Sequence, residues 1–140
     1  MHTFGSIVLA FVAVLLMQAL LVFVGGYLSY AITSTTGVAW ISYMLMLGLS
    51  GCATYAGLFF SLKVASSGNA KVTFYFISSV LVLSGGVGVV KELGNNEISL
   101  AISLLCNTGA GLFGAWLGTQ HAVEERSVEE RVKAPPSPDS

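Results

Sequence analysis

The chain has 140 residues, 54% of them hydrophobic and only 9% charged, with a mean hydropathy of +0.80 and a formal net charge of −1. Soluble domains carry about 25% charged residues, so this composition speaks against a water-exposed globule, and the balanced charge leaves no basic field for nucleic acid. No Asp, Glu, Lys or Arg occurs from Thr3 to Leu62, and the later charges fall in small groups at Lys63 and Lys71, at Lys91, Glu92 and Glu97, and from Glu124 onward.

One crossing of about 30 Å of hydrocarbon takes roughly 20 apolar residues, and the uncharged stretches have room for four. The start, Met1 to Phe4, lacks the basic segment of a secretory signal, and the apolar run behind it outlasts a signal core, so it is expected to stay as the first span. The spans are predicted at 6–32, 38–62, 72–90 and 98–119. The short connections at 33–37, 64–70 and 91–97 each contain one glycine, Gly37, Gly68 and Gly94. Short glycine-bearing turns join antiparallel neighbours, which predicts two sequential α-hairpins. The third span is diluted by Ser78, Ser79, Ser84, Gly85, Gly86 and Gly88, the fourth by Asn107, Thr108 and its own glycines.

The last segment changes character. Residues 123–132 repeat a five-residue unit, Val-Glu-Glu-Arg-Ser and Val-Glu-Glu-Arg-Val, in which Arg126 can pair with Glu129 and Glu130 at helical spacing. The fourth helix is therefore expected to continue beyond the span until Pro135 and Pro136 stop it, leaving a short disordered tip. The organisation expected is a transmembrane unit at 1–122 and a charged tail at 123–140, available to a cytosolic partner.

Orientation follows from basic residues beside the spans. With the N-terminus inside, Lys63, Lys71, Arg126, Arg131 and Lys133 all lie on the cytoplasmic face and only Lys91 outside. Both termini are predicted cytoplasmic, in a cell (inner) membrane. Tyr27, Tyr30, Trp40 and Trp116 fall near span ends, where amphipathic rings settle among headgroups. Aligning Val12 with Val72 also places Gly25 on Gly85 and Gly26 on Gly86. A shift longer by one places Gly48 on Gly109 and Gly57 on Gly118; these matches fit either a duplicated two-helix unit or chance in low-complexity apolar sequence, and the polar residues do not repeat.

The chemistry available to the spans is narrow. None contains Asp, Glu, Lys, Arg or His, which speaks against a proton-coupled exporter and against hydrolases or transferases that need acids, bases or metal ligands. Cys52 and Cys106 are far apart and lack His neighbours; no metal site and no cofactor is expected. His121 is expected at the inner interface.

Glycine is abundant at 16 residues, and lipid tails supply no hydrophobic drive for helix association, so close backbone approach must supply it. Ala110, Gly114 and Gly118 form a ridge of small residues, with Gly111 on the same face; Gly48 and Gly57 are the packing candidates in the second span, where Ser50, Ala53, Thr54, Gly57 and Ser61 share a face. Gln18, Thr54, Asn107 and Thr108 are the polar groups at mid-span, able to fasten helices together or to line a polar pathway. The expectation is an all-α, four-helix membrane bundle of non-enzymatic function. It would act through helix packing as an accessory subunit or homo-oligomer within the lipid bilayer, partnered by itself or by another membrane protein. A small channel, holin-like pore-former or passive permease is the alternative.

Overall fold

The computed structural model describes residues 2–37, 39–64 and 70–138. The expected connection at 65–69, with Gly68, lies outside the described residues, as do Asp139 and Ser140. Among the described residues the chain is all-helical: α1 His2–Thr36, α2 Ala39–Val64, α3 Ala70–Gly94 and α4 Ile98–Lys133. Each is long and apolar enough to cross a membrane.

The helices overrun the predicted spans, for local reasons. Around the first turn, the hydroxyls of Ser34 and Thr35 donate to the Ala31 carbonyl and that of Thr36 to Ile32, at 3.0, 2.7 and 2.7 Å. These back-bonds tie residues expected in a turn onto the end of α1. Gly37 then takes the left-handed conformation (φ 67°) and its N–H bonds the Thr33 carbonyl at 2.9 Å, which stops the helix.

The α3–α4 turn departs from expectation. Gly94 remains helical, and the left-handed residue is Asn96 (φ 61°). The Asn96 N–H bonds Leu93 O at 3.1 Å and the Glu97 N–H bonds Glu92 O at 2.9 Å, a paired closure that asparagine tolerates because its short polar side chain lowers the left-handed penalty. Glu97 stands at the N-cap of α4 without a side-chain capping bond, so any stabilisation it gives is through the helix dipole.

α4 has 36 residues and at about 1.5 Å per residue runs about 54 Å, well beyond the roughly 30 Å of a hydrocarbon layer. Its last turns are the charged repeat, which is thus part of one continuous helix. The Ala134 N–H still bonds Glu130 O at 3.0 Å, and Ala134 itself is extended, as the residue before a proline should be.

α2 is the most engaged helix, packed on both α1 and α4; α3 packs on α4 and more lightly on α1. Contacts give the relative directions. Gln18 meets Thr54 while Thr33 meets Ser42, so α1 and α2 are antiparallel. Gly85 lies against Thr108 and Gly88 against Leu104, so α3 and α4 are antiparallel. Gly51 meets Ala110, Gly118 meets Tyr55, and Arg126 reaches Leu62, so α2 and α4 run parallel. The start of α1 and the end of α4 therefore share one end, the termini end; Gly37 and Asn96 mark the other, the turn end.

Burial is lopsided along this axis. Ala10, Val14, Leu58, Ile77 and Ala115 form an apolar cluster in the termini half, flanked by Phe11, Phe74 and Leu81. Leu62, Thr119 and Ala122 extend the buried region toward that end. On the turn side of Gln18, Thr54 and Asn107, the buried residues among those described are Gly25, Ala53 and Ala101.

Candidate functional site

Two features stand out: a glycine seam between α2 and α4, and a polar cavity beside it. The seam is built by backbone proximity. A β-carbon on Gly114 would collide with the Gly51 carbonyl oxygen, and one on Gly118 would stand 2.5 Å from the Tyr55 carbonyl oxygen. From the other side, a β-carbon on Gly51 would come within 3.2 Å of Ala110 O. Side-chain-free surfaces let the two backbones touch, which is how helices gain dispersion energy where lipid offers no hydrophobic drive.

The remaining packing candidates divide. Gly57 is as tight as the seam, its notional β-carbon 2.9 Å from the Val14 Cα of α1. Gly111 is buried but roomy, with Thr54 Oγ1 at 3.6 Å. Gly48 has nothing within 4 Å and lies on the exposed rim of an apolar groove with Cys52, Phe113 and Gly114. The glycines paired by the internal alignment behave alike in three cases. Gly25 and Gly85 each receive side chains of the next helix, Met46 and Thr108; Gly26 and Gly86 are open, as are Gly48 and Gly109. Gly57 and Gly118 differ, one meeting α1 and the other α2.

The cavity has a volume of about 250 Å³ and is lined by α1, α2 and α4. Its polar lining is Gln18, Tyr43, Ser50, Ser103 and Asn107; the rest is aliphatic or Met. Gln18 Nε2 donates to Thr54 Oγ1 at 3.1 Å and weakly to Ser50 O at 3.4 Å, while the Thr54 hydroxyl donates to Ser50 O at 3.0 Å. Thr54 is fully buried. Asn107 lines the same cavity with no hydrogen-bond partner among the described residues. Thr108 turns away: its hydroxyl donates to Leu104 O at 2.9 Å and its side chain fills the space left by Gly85. Of the four expected mid-span polar groups, Gln18 and Thr54 are thus bonded, Asn107 joins them at one cavity, and Thr108 serves the α3–α4 contact.

Three further groups escape sequence reasoning. Tyr43 and Ser103 complete the polar lining; Ser103 sits four residues before Asn107, so a shared helix face is the available signal. The Tyr55 hydroxyl and His121 Nδ1 are 2.8 Å apart, with Tyr55 stacked on Phe59 at a centroid distance of 5.9 Å. Nothing local links Tyr55 to His121; only the parallel α2–α4 register brings them together.

At the termini end Lys63 and Glu125 form an ion pair at 2.7 Å, and Arg126 donates to the Leu62 carbonyl. Arg126 therefore caps one carbonyl of the last turn of α2. Among the described residues no three His, Cys, Asp or Glu side chains gather into a group that would hold a metal ion. No known protein family, curated protein or solved structure matches this chain.

Proposed function

We propose that this chain is a small, non-enzymatic multi-pass membrane protein that works through helix packing, as an accessory subunit or a homo-oligomeric assembly. In this reading it is a four-helix bundle of two transmembrane α-hairpins with both termini in the cytoplasm. The observation that carries it is the α2–α4 seam, where Gly114 meets the Gly51 backbone and Gly118 that of Tyr55, inside a chain whose outer surface is apolar. Phe4, Leu16, Phe23, Leu83, Val87, Leu105 and Phe113 are all more than 60% exposed, a surface that water would not tolerate and lipid or another membrane protein would cover. Because the seam is consumed within the chain, assembly uses those outer faces. The Lys63–Glu125 ion pair of the tail is half-exposed and contributes little to stability, which leaves the tail helix available as a handle for a cytosolic partner.

Mild-detergent purification followed by native mass measurement tests this reading. A discrete oligomer, or a second membrane chain in fixed ratio, is expected. A solitary chain that conducts solute across liposomes would overturn it in favour of the second reading, a small channel, pore-former or passive permease, which the polar cavity favours. Topology is checked separately in a cysteine-free background. Cysteines at Ser34 or Asn95 should react with an impermeant reagent from outside, and those at Ser67 or Ser137 should not.

A further inference from the structure

A carboxamide inside a hydrocarbon layer needs a partner, since each unmet donor or acceptor there is strongly disfavoured. Two such amides face one cavity. Gln18 spends its Nε2 on Thr54 and Ser50, while its Oε1 accepts from no group among the described residues. Asn107 makes no hydrogen bond there at all, leaving both a donor and an acceptor open. Ser50, Ser103 and Tyr43 add hydroxyls to the same walls. The wall chemistry is neutral: among the described residues no Asp, Glu, Lys, Arg or His lines the cavity. An ion entering it would lose its water and find no counter-charge.

We propose that this cavity is a binding site for a small uncharged solute bearing a carboxamide. The ligand's N–H donates to Gln18 Oε1, its carbonyl accepts from Asn107 Nδ2, and its apolar part rests on the aliphatic side chains of the same walls. An amide ligand answers both open groups at once, with its donor and its acceptor on separate atoms of one rigid plane. Size is bounded: a cavity of about 150 Å³ holds benzene, so about 250 Å³ admits a molecule of roughly ten heavy atoms. The cavity is partly open, with Val22, Tyr43 and Asn107 of its lining exposed, whereas the cluster of Val14, Leu58, Ile77 and Ala115 fills the termini half. A partly open cavity of this size is suited to holding a solute. It rests on the membrane placement proposed above.

The test uses the full chain in liposomes with Cys52→Ala, Cys106→Ala and Ser103→Cys. The thiol introduced by Ser103→Cys should react with a small water-soluble methanethiosulfonate, and nicotinamide near saturation should slow that reaction at least fivefold. Nicotinate, the same shape with a charge, should not. Asn107→Leu should abolish the protection; Asn107→Ala, with less added bulk, should do the same, and neither removes a bond within the chain. An unreactive introduced thiol, equal slowing by nicotinamide and nicotinate, no slowing by nicotinamide, or slowing that survives both Asn107 variants each overturns the site. The oligomer measurement is separate, so a chain that assembles as proposed yet shows no protection refutes the site alone.

Discussion

The two halves of this protein are built from similar residues and packed differently. In the termini half, Gly57, Gly114 and Gly118 bring backbones together around Val14, Leu58, Ile77 and Ala115. In the turn half, Gly26, Gly48 and Gly86 meet nothing within 4 Å, Gly25 meets only the flexible side chains of Met46 and Leu49, and a polar cavity stands where a core would be. Glycine content alone therefore does not make a packed membrane protein; what matters is whether the bare backbone strip faces a neighbour. A half held by backbone contact is expected to be rigid, and a half with few buried side chains to open locally at lower cost.

The sharpest way to break this contrast is Gly114→Ile. Any β-carbon there strikes the Gly51 carbonyl, and backbone cannot yield as a flexible side chain does. Overpacking typically costs about 1–3 kcal/mol and more where backbones must separate, so a loss of about 3 kcal/mol or more is expected in thermal unfolding in detergent. Normal stability would mean that the seam is not the mechanical centre.

Gly48→Ala probes the other half with the opposite sign. Nothing crowds that position, and glycine in a helix interior is less favourable than alanine by about 1 kcal/mol. The variant should be as stable as the parent or more so, by up to about 1 kcal/mol in the same melt. Clear destabilisation would show that Gly48 packs against another subunit.

Asn107→Leu should change stability less than the seam variant does, by under about 1 kcal/mol, since membrane hydrogen bonds average about 0.6 and Asn107 makes none among the described residues. If it dissociates the assembly while Gly114→Ile behaves normally, the polar groups and not the glycines hold the structure.

The smallest effect is expected from removing Pro135 to Ser140. The helix of α4 has ended at Lys133, and the described part of the tip is exposed. Membrane accumulation and native mass should be unchanged. A deletion from Val123 also removes Glu125 and Arg126, and with them the ion pair to Lys63 and the cap on Leu62, and should loosen the end of α2.

The number of helices and their approximate places are legible because each crossing demands a long apolar run, and charge interrupts such runs visibly. The stop at Gly37 and the break before Pro135 are legible too, since both follow from backbone chemistry at one residue. The α3–α4 turn is not: Gly94 is the obvious breaker, yet it is the last helical residue of α3 and Asn96 adopts the left-handed conformation. Helix length beyond a turn depends on which carbonyls find partners, and that is decided by the fold of the whole loop.

The ridge of Ala110, Gly114 and Gly118 can be drawn from helical spacing, but not its partner, and Gly48 looks like Gly57 in sequence although one is open and the other touches Val14. In a uniformly apolar helix the hydrophobic pattern has no preferred face, so composition carries no information about rotation. Only contact with a neighbour sets it. The same physics hides the union of Gln18, Ser50 and Asn107 at one cavity and of Tyr55 with His121. Sequence determined what could enter a membrane; tertiary structure alone decided which faces meet, because helix rotation and register are properties of pairs.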